Sequence, residues 1–428
     1  MVEKTFGAIA RGYGFLKKQQ RDWKITVLRS NLNMFFYRMV YPYMAVYIRE
    51  LGATGAQLGM VNSIGMATSG LVGPVIGWII DRIGVKRIYL IGIVLLAVSY
   101  LVYGLAQSWA IIIIAMAAYW LGMGMAGLIC NVVCGNCLVS KERATGMAIC
   151  ETVGMGGLGM AAPMVGAWLV TTFGGVNVEG IRPLFFISLA GMTVTFILIL
   201  TQLSNRKWVK LDESGSNFFK GISQVFKQGH HLKRWLLIAS GSGLQMGMVL
   251  PFVYPFAHEF KGADQYILGA MVTVSAVVPF LLGIPMGRLA DKIGRKKVLY
   301  SIAPFVWASY LVLIWAPGPG FLIVSGVLLG FLMLTTVITA GMGRELVPPE
   351  QMGRWMGILR SGRMLFSAGA VYLAGVIWDG IGPQYVFLII IAMDILRILL
   401  LIGMPETLGL RLGTEQPKGG GQGHVNNA

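Results

Sequence analysis

The sequence predicts an all-α membrane protein with twelve transmembrane helices in two pseudo-symmetric six-helix bundles. Three observations carry that prediction. Of 428 residues, 56% are hydrophobic and 12% charged, where a soluble domain carries about a quarter charged. Apolar runs near the ~20 residues that a spanning helix needs recur along the chain. Features of the first half also return in the second at nearly one spacing.

The same composition excludes several classes. With a mean hydropathy of +0.70 and so few charges, the chain is not a cytosolic enzyme. Nor is it intrinsically disordered, a state that requires low hydrophobicity. Four cysteines in 428 residues make no disulfide framework. Residues 1–23 alternate apolar and basic positions without a continuous apolar stretch, so no cleavable signal peptide is expected.

The apolar runs fall at 24–48, 57–80, 88–106, 110–138, 145–172 and 183–203 in the first half. In the second half they fall at 234–257, 265–287, 297–316, 320–343, 355–378 and 384–404. Stretches such as Ile111–Ile114 and Ile398–Ile402 are continuous, whereas barrel strands alternate. The glycines of spans 4 and 5 suit close helix approach. Residues 1–23, with Phe6, Ile9, Tyr13 and Phe15 among Lys and Arg, read as an interfacial amphipathic segment. The first bundle is 24–203, a polar and basic linker is 204–233, and the second bundle is 234–404. The tail 405–428, Gly-rich from Gly413, is expected to be disordered.

The net charge of +17 is explained by where the basic residues sit. If the N-terminus is cytoplasmic, 27 of the 35 Lys and Arg fall on cytoplasmic segments, counting Lys24, Arg234 and Lys297 at span edges. Only Arg49, Arg182 and Lys261 fall outside, and Arg29, Arg38, Arg360, Arg363 and Arg397 fall within spans. This positive-inside pattern puts both termini in the cytoplasm of a multi-pass cell-membrane protein. No basic stretch is interleaved with a recognition motif, so nucleic acid is not an expected partner.

GWIIDRIGVKR (77–87) follows span 2, and GRLADKIGRKK (287–297) follows span 8, 210 residues later. MVYP (39–42) in span 1 matches MVLP (248–251) in span 7, and Arg143-x-x-Gly146 matches Arg354-x-x-Gly357. A six-helix unit duplicated in parallel is a transporter architecture, with the substrate site at the repeat interface near mid-membrane. No Walker A sequence occurs, so an ATP-driven pump within this chain is not expected.

On these motifs the chain resembles the major facilitator superfamily over about residues 24–404. The family's helix 2–3 signature is met by Gly77, Asp81, Arg82, Gly84, Lys86 and Arg87, with Val85 where Arg is usual. The second copy reads Gly287, Asp291, Lys292, Gly294, Arg295 and Lys296. YPYMAVYIRELGATGAQLGM (41–60) is similar to the helix 1–2 connection of drug–proton antiporters. GLGMAAPMVGA (157–167) is similar to their helix 5 motif, with Ala162 and Ala167 replacing two glycines. The branch's intramembrane Arg in helix 4 is missing from YWLGMGMAGLIC (119–130).

The resemblance implies that Asp81 faces helix 11, whose start carries Arg354. By pseudo-symmetry Asp291 then faces helix 5 near Arg143. With Arg82 and Lys292, these residues are expected to form a cytoplasmic gate. The plainer alternative is that the acids only solubilise a tight loop.

Ionisable groups within spans are costly and are functional candidates by default. Arg38 stands 14 residues into span 1, roughly 21 Å deep at ~1.5 Å per residue. With Tyr37, Tyr41 and Asn33 it makes the most polar inner helix. Arg38 either holds an anionic or carbonyl group of substrate through its fork of donors or bonds structurally to helix 4 carbonyls. Asn131 and Gln245 complete the expected substrate path. Glu151 is the only carboxylate within the first-half spans. It is either a proton-coupling group, its pKa raised by burial, or an ion-pair partner of Arg29, Arg360 or Arg363. Asp394 and Arg397, three apart on span 12, share one helix face and read as a structural pair. Cys130, Cys134 and Cys137 also share one face. As small apolar side chains they are expected to pack rather than to carry a soft metal, and no metal or cofactor is expected.

The expected function is secondary active transport of a small organic solute by a monomer using alternating access, coupled to protons, with efflux favoured. Uptake or exchange of an anionic metabolite is the second reading, and a non-transporting sensor on the same scaffold the third. No HExxH sequence or nucleophile elbow appears, and His230, His231, His258 and His424 are expected in loops or the tail. The chain is not expected to be an enzyme.

Overall fold

Lipid offers no partner to a backbone N–H or C=O, so spanning segments satisfy those groups internally by becoming helical. The computed structural model describes residues 19–83, 85–137, 158–204, 232–347 and 352–404, without the side chains of 74–83, 85, 127–137, 340, 344–345 and 352–354. The first half comprises α1 (Arg21–Glu50), α2 (Gly55–Ile83), α3 (Val85–Leu105), α4 (Ile112–Cys137), α5 (Leu158–Thr172) and α6 (Val178–Gln202). The second comprises α7a (Leu232–Met248), α7b (Leu250–Lys261), α8 (Gln265–Ile293), α9 (Arg295–Trp315), α10 (Leu322–Glu345), α11 (Met352–Gly380) and α12 (Pro383–Ile402). Among the described residues, eight helical stretches are long and apolar enough to cross a membrane. Large apolar side chains such as Leu71, Ile284, Val337 and Leu396 are exposed, the surface a bilayer covers.

The duplication is visible in the helix ends. The pairs α2 and α8, and α3 and α9, each start and finish 210 residues apart. So do the short 3-10 turns Trp109–Ile111 and Pro319–Phe321. Lys86 Nζ donates to Leu200 O (3.0 Å) and Leu203 O (2.7 Å). Its counterpart Lys296 donates to Ile402 O (3.1 Å) and Met404 O (2.5 Å). In each half, therefore, the repeated motif's lysine satisfies carbonyls at the end of the last helix, where the helix dipole favours a cation.

Several sequence boundaries need correction. The repeated motif is largely helical rather than loop: α2 runs to Ile83 and α8 to Ile293. In the second copy the break comes at Gly294, whose φ of +104° favours glycine. Helix α6 starts at Val178, five residues before the expected span, because the Asn177 side chain accepts from Gly180 N at 2.7 Å and caps it. Span 7 is two segments parted at Val249. Pro251, in the first turn of α7b, lacks the N–H that would continue α7a. His258 lies in the last turn of α7b, not in a loop.

Within the halves, α3 packs on α4 and α6, and α9 on α10, while α1 lies against α5 and α6. Between the halves, α2 runs along α11 and α5 along α8. Small residues permit these approaches. A Cβ on Gly59 would stand 2.5 Å from Val371 O, one on Gly375 would strike Gly55 O, and one on Gly269 would stand 2.8 Å from Pro163 O.

Candidate functional site: an aromatic cavity between the halves

A cavity of about 100 Å³ lies between the two halves. Tyr37, Tyr41, Met44 and Ala45 reach it from α1, at spacings that share one helix face. Asn62 and Met66 come from α2, and Met116, Tyr119 and Trp120 from α4. The second half contributes Met246 of α7a with Leu250, Pro251 and Tyr254 of α7b. The bend at Val249 thus presents both segments of α7 to the cavity. The rings form a continuous wall: Tyr37 and Tyr41 centroids are 5.1 Å apart, Tyr37 and Tyr119 6.1 Å, and Tyr41 and Tyr254 5.4 Å, the last pair edge-on across the interface. Asn62 spends an amide donor on Leu58 O (2.9 Å) of its own helix.

The end of the cavity toward the α1–α2 turn is closed by contacts between the halves. Arg49 makes two hydrogen bonds to Glu259, Nε to Oε1 at 2.7 Å and Nη2 to Oε2 at 2.8 Å, and its Nη1 donates to Ala53 O at 2.6 Å. The Asp379 carboxylate at the end of α11 accepts from Gly55 N (2.8 Å) and Ala56 N (2.7 Å), capping α2 of the other half. Tyr43 Oη donates to Gln265 O (2.9 Å), and Gln265 Nε2 donates to Thr171 Oγ1 (2.9 Å). The remaining basic residues of this end bind helix-end carbonyls at equivalent positions, Arg182 to Ala106 O (2.9 Å) and Lys261 to Ala316 O (3.2 Å).

Arg38 adjoins the cavity, and its charge acts on the phenols of Tyr37, Tyr254 and Tyr41. Its Nη1 is buried and has no hydrogen-bond partner among the described residues. The helix 4 carbonyl is approached instead by Arg360, which reaches from α11 to Gly124 O at 3.5 Å. Arg363 stands three residues beyond Arg360 on α11, on the same side of the helix. Arg29 is elsewhere, buried with its guanidinium 4.3 Å over the Tyr89 ring, a cation–π contact. Asn33 is half-buried on α1 and does not line the cavity.

Gln245 departs from expectation. Buried on a different face of α7a, it lines a separate small cleft with Thr335, Asp394 and Arg397. There Asp394 accepts from Arg397 Nε (2.7 Å) and from Trp307 Nε1 (2.8 Å). Asp291 is largely exposed and lies 3.6 Å from Nη2 of Arg295, the first residue of α9, while Lys292 is exposed. Arg143 and Glu151 lie outside the described residues, as do the side chains of Asp81, Arg82, Asn131 and Arg354 and of Cys130, Cys134 and Cys137. Among the described residues, no group of three His, Cys, Asp or Glu is placed to hold a metal ion.

Sequence reasoning missed Tyr119, Trp120 and Tyr254, the methionines of the lining, and the Arg49–Glu259 pair.

Two duplicated six-helix bundles enclosing a cavity at their interface define a multi-pass membrane protein of the transporter type. The chain belongs to the major facilitator superfamily, whose model matches residues 28–266 and 235–418. Among curated relatives, the multidrug resistance protein MdtG of Dickeya zeae (strain Ech586) is 25% identical over 299 residues, covering 66% of this chain and 70% of that protein. The solved nucleoside transporter NupG superposes with a TM-score of 0.70 at 15% identity, over 90% of this chain and 98% of the other. A D-xylose–proton symporter superposes at 0.71 with 14% identity, over 90% and 98%. At such identities the two structures speak for the fold alone.

Proposed function

We propose that the protein is a monomeric secondary active transporter of the cell membrane. It moves a small organic solute by alternating access in exchange for protons, with efflux the favoured direction and both termini cytoplasmic. The observation that carries this reading is the position of the cavity. It is walled by both halves and shut at one end by contacts, Arg49–Glu259 and Asp379 with the start of α2, that a rocking motion would break. The basic-residue distribution supports placing that end on the outside. The relatives' name, multidrug resistance protein, supports efflux.

Asp81 with Arg354, and Asp291 with Arg143, serve as latches that hold the cytoplasmic side when the outer side opens. The exposure of Asp291, with Arg295 at the start of α9 beside it, supports a released latch. Glu151 is the proton-coupling candidate.

Inverted vesicles test the reading. An amphipathic dye should accumulate under an acid-inside pH gradient, and an ionophore should collapse the accumulation. Glu151→Gln should abolish the dependence on the gradient. Accumulation indifferent to the gradient would remove proton coupling, and accumulation only in right-side-out vesicles would reverse the direction.

A further inference from the structure

We propose that the central cavity is a site for organic anions with a flat aromatic body, the ring lying among Tyr37, Tyr41 and Tyr254 and the anionic group meeting Arg38 and Arg360. The proposal rests on the transporter reading for the solute's route, but not for its binding.

The walls select the body of the solute. Tyr41 and Tyr254 come from opposite halves with centroids 5.4 Å apart. A ring seated there touches both bundles, and aromatic faces prefer such offset or edge-on neighbours. Met44, Met66, Met116 and Met246 complete a wall whose flexible side chains adapt to rings of different shape.

Charge selects the head group. Arg38 Nη1 is a buried donor without an acceptor among the described residues, a costly state that an anionic oxygen relieves. Arg360 enters from the other half, its contact with Gly124 O at the long limit of 3.5 Å, one helical turn from the cavity residue Trp120. Among the described residues the carboxylate at mid-membrane depth is Asp394, already committed to Arg397 and Trp307 in its own cleft. The cavity lining contains no carboxylate. Guanidinium groups set in low-dielectric walls focus a positive potential that draws anions in and keeps cations out.

The experiment titrates the purified full-length protein in nanodiscs with small probes, following tryptophan emission or heat. The probes are benzenesulfonate, its neutral amide benzenesulfonamide, phenyltrimethylammonium, and methanesulfonate as an anion without a ring. Benzenesulfonate should bind about tenfold or more tighter than each of the others, the scale of one charge-assisted hydrogen bond or one stacked ring. Arg38→Gln and Arg360→Gln should each weaken it by about tenfold, while Arg38→Lys, which keeps the charge, should lose less. Because the two arginines stand in different halves, Arg360→Gln remains readable if Arg38→Gln does not fold. Undetectable binding of benzenesulfonate, equal or tighter binding of the cation, or full affinity in the folded glutamine variants would overturn the proposal. Counterflow in proteoliposomes separates the two readings. Benzenesulfonate that binds without counterflow removes transport and leaves the site, whereas counterflow of the cation keeps transport and removes the site.

Discussion

Arg49 and Glu259 meet across the interface through two hydrogen bonds of 2.7 and 2.8 Å, and beside them His258 Nε2 stands 3.9 Å from Glu50 Oε1. In the register that matches MVYP (39–42) to MVLP (248–251), Arg49 corresponds to His258 and Glu50 to Glu259. The two contacts are therefore pseudo-symmetric mates about the axis that relates the bundles. The stronger of them is Arg49–Glu259, in which the planar fork of Arg is matched to a carboxylate.

Breaking this pair should loosen the closed end without unfolding the protein. Both side chains are about one-fifth exposed, and such pairs contribute about 0.2–1 kcal/mol, a shift of up to about fivefold in the open population. A cysteine at Met44, in the cavity, should react up to about fivefold faster with an impermeant thiol reagent in Arg49→Ala. The swap Arg49→Glu with Glu259→Arg should restore slow labelling. Identical rates in all three would mean that the pair does not hold this end shut.

The glycines between α2 and α11 should tolerate no side chain. Gly59→Leu or Gly375→Leu would drive carbon into Val371 O or Gly55 O and force two packed backbones apart, typically costing about 1–3 kcal/mol. Thermal unfolding should come several degrees earlier and transport should fail. Gly283, beside which a Cβ would meet nothing within 4 Å, should accept Ala with unchanged or slightly raised stability.

Asp394→Asn should be among the most destabilising single changes in the second half. The carboxylate is buried and held by Arg397 and Trp307, so its removal leaves a buried guanidinium uncompensated at about 3–5 kcal/mol. Asp394→Asn combined with Arg397→Gln should recover part of the loss. A double variant no better than the single, judged by melting in detergent, would argue against an ion-pair origin.

Lys86→Met and Lys296→Met should each lower stability modestly, by about 0.3–1 kcal/mol, because each removes the cation that covers terminal carbonyls of its bundle's last helix. The sites lie in different bundles and their described acceptors differ, so their effects should add. A strongly non-additive double variant would show that the two bundles communicate through these helix ends.

Much of the fold was legible because it rests on local rules. Apolar runs of spanning length must be helical in lipid, and the repeated motif at 210 residues marks α2 and α8 as equivalent helices of the two halves. Asp394 and Arg397, three apart, had to share a face. The sequence could not say what that face met, and the answer, Trp307 and a cleft containing Gln245, depends on how α7a, α9 and α12 pack. Gln245 and Met246 are neighbours in the chain, yet about 100° of helical rotation separates them. Met246 faces the cavity and Gln245 the separate cleft.

The sequence by itself determined the number of spans, their duplication and the intramembrane arginines, since hydropathy, repeat spacing and the cost of charge in lipid act residue by residue. The tertiary structure alone decided which rings wall the cavity, which end is shut, and that Arg49 finds Glu259. Those are relations between helices distant in the chain, set by bundle packing and by the bend at Val249, and no local pattern encodes them.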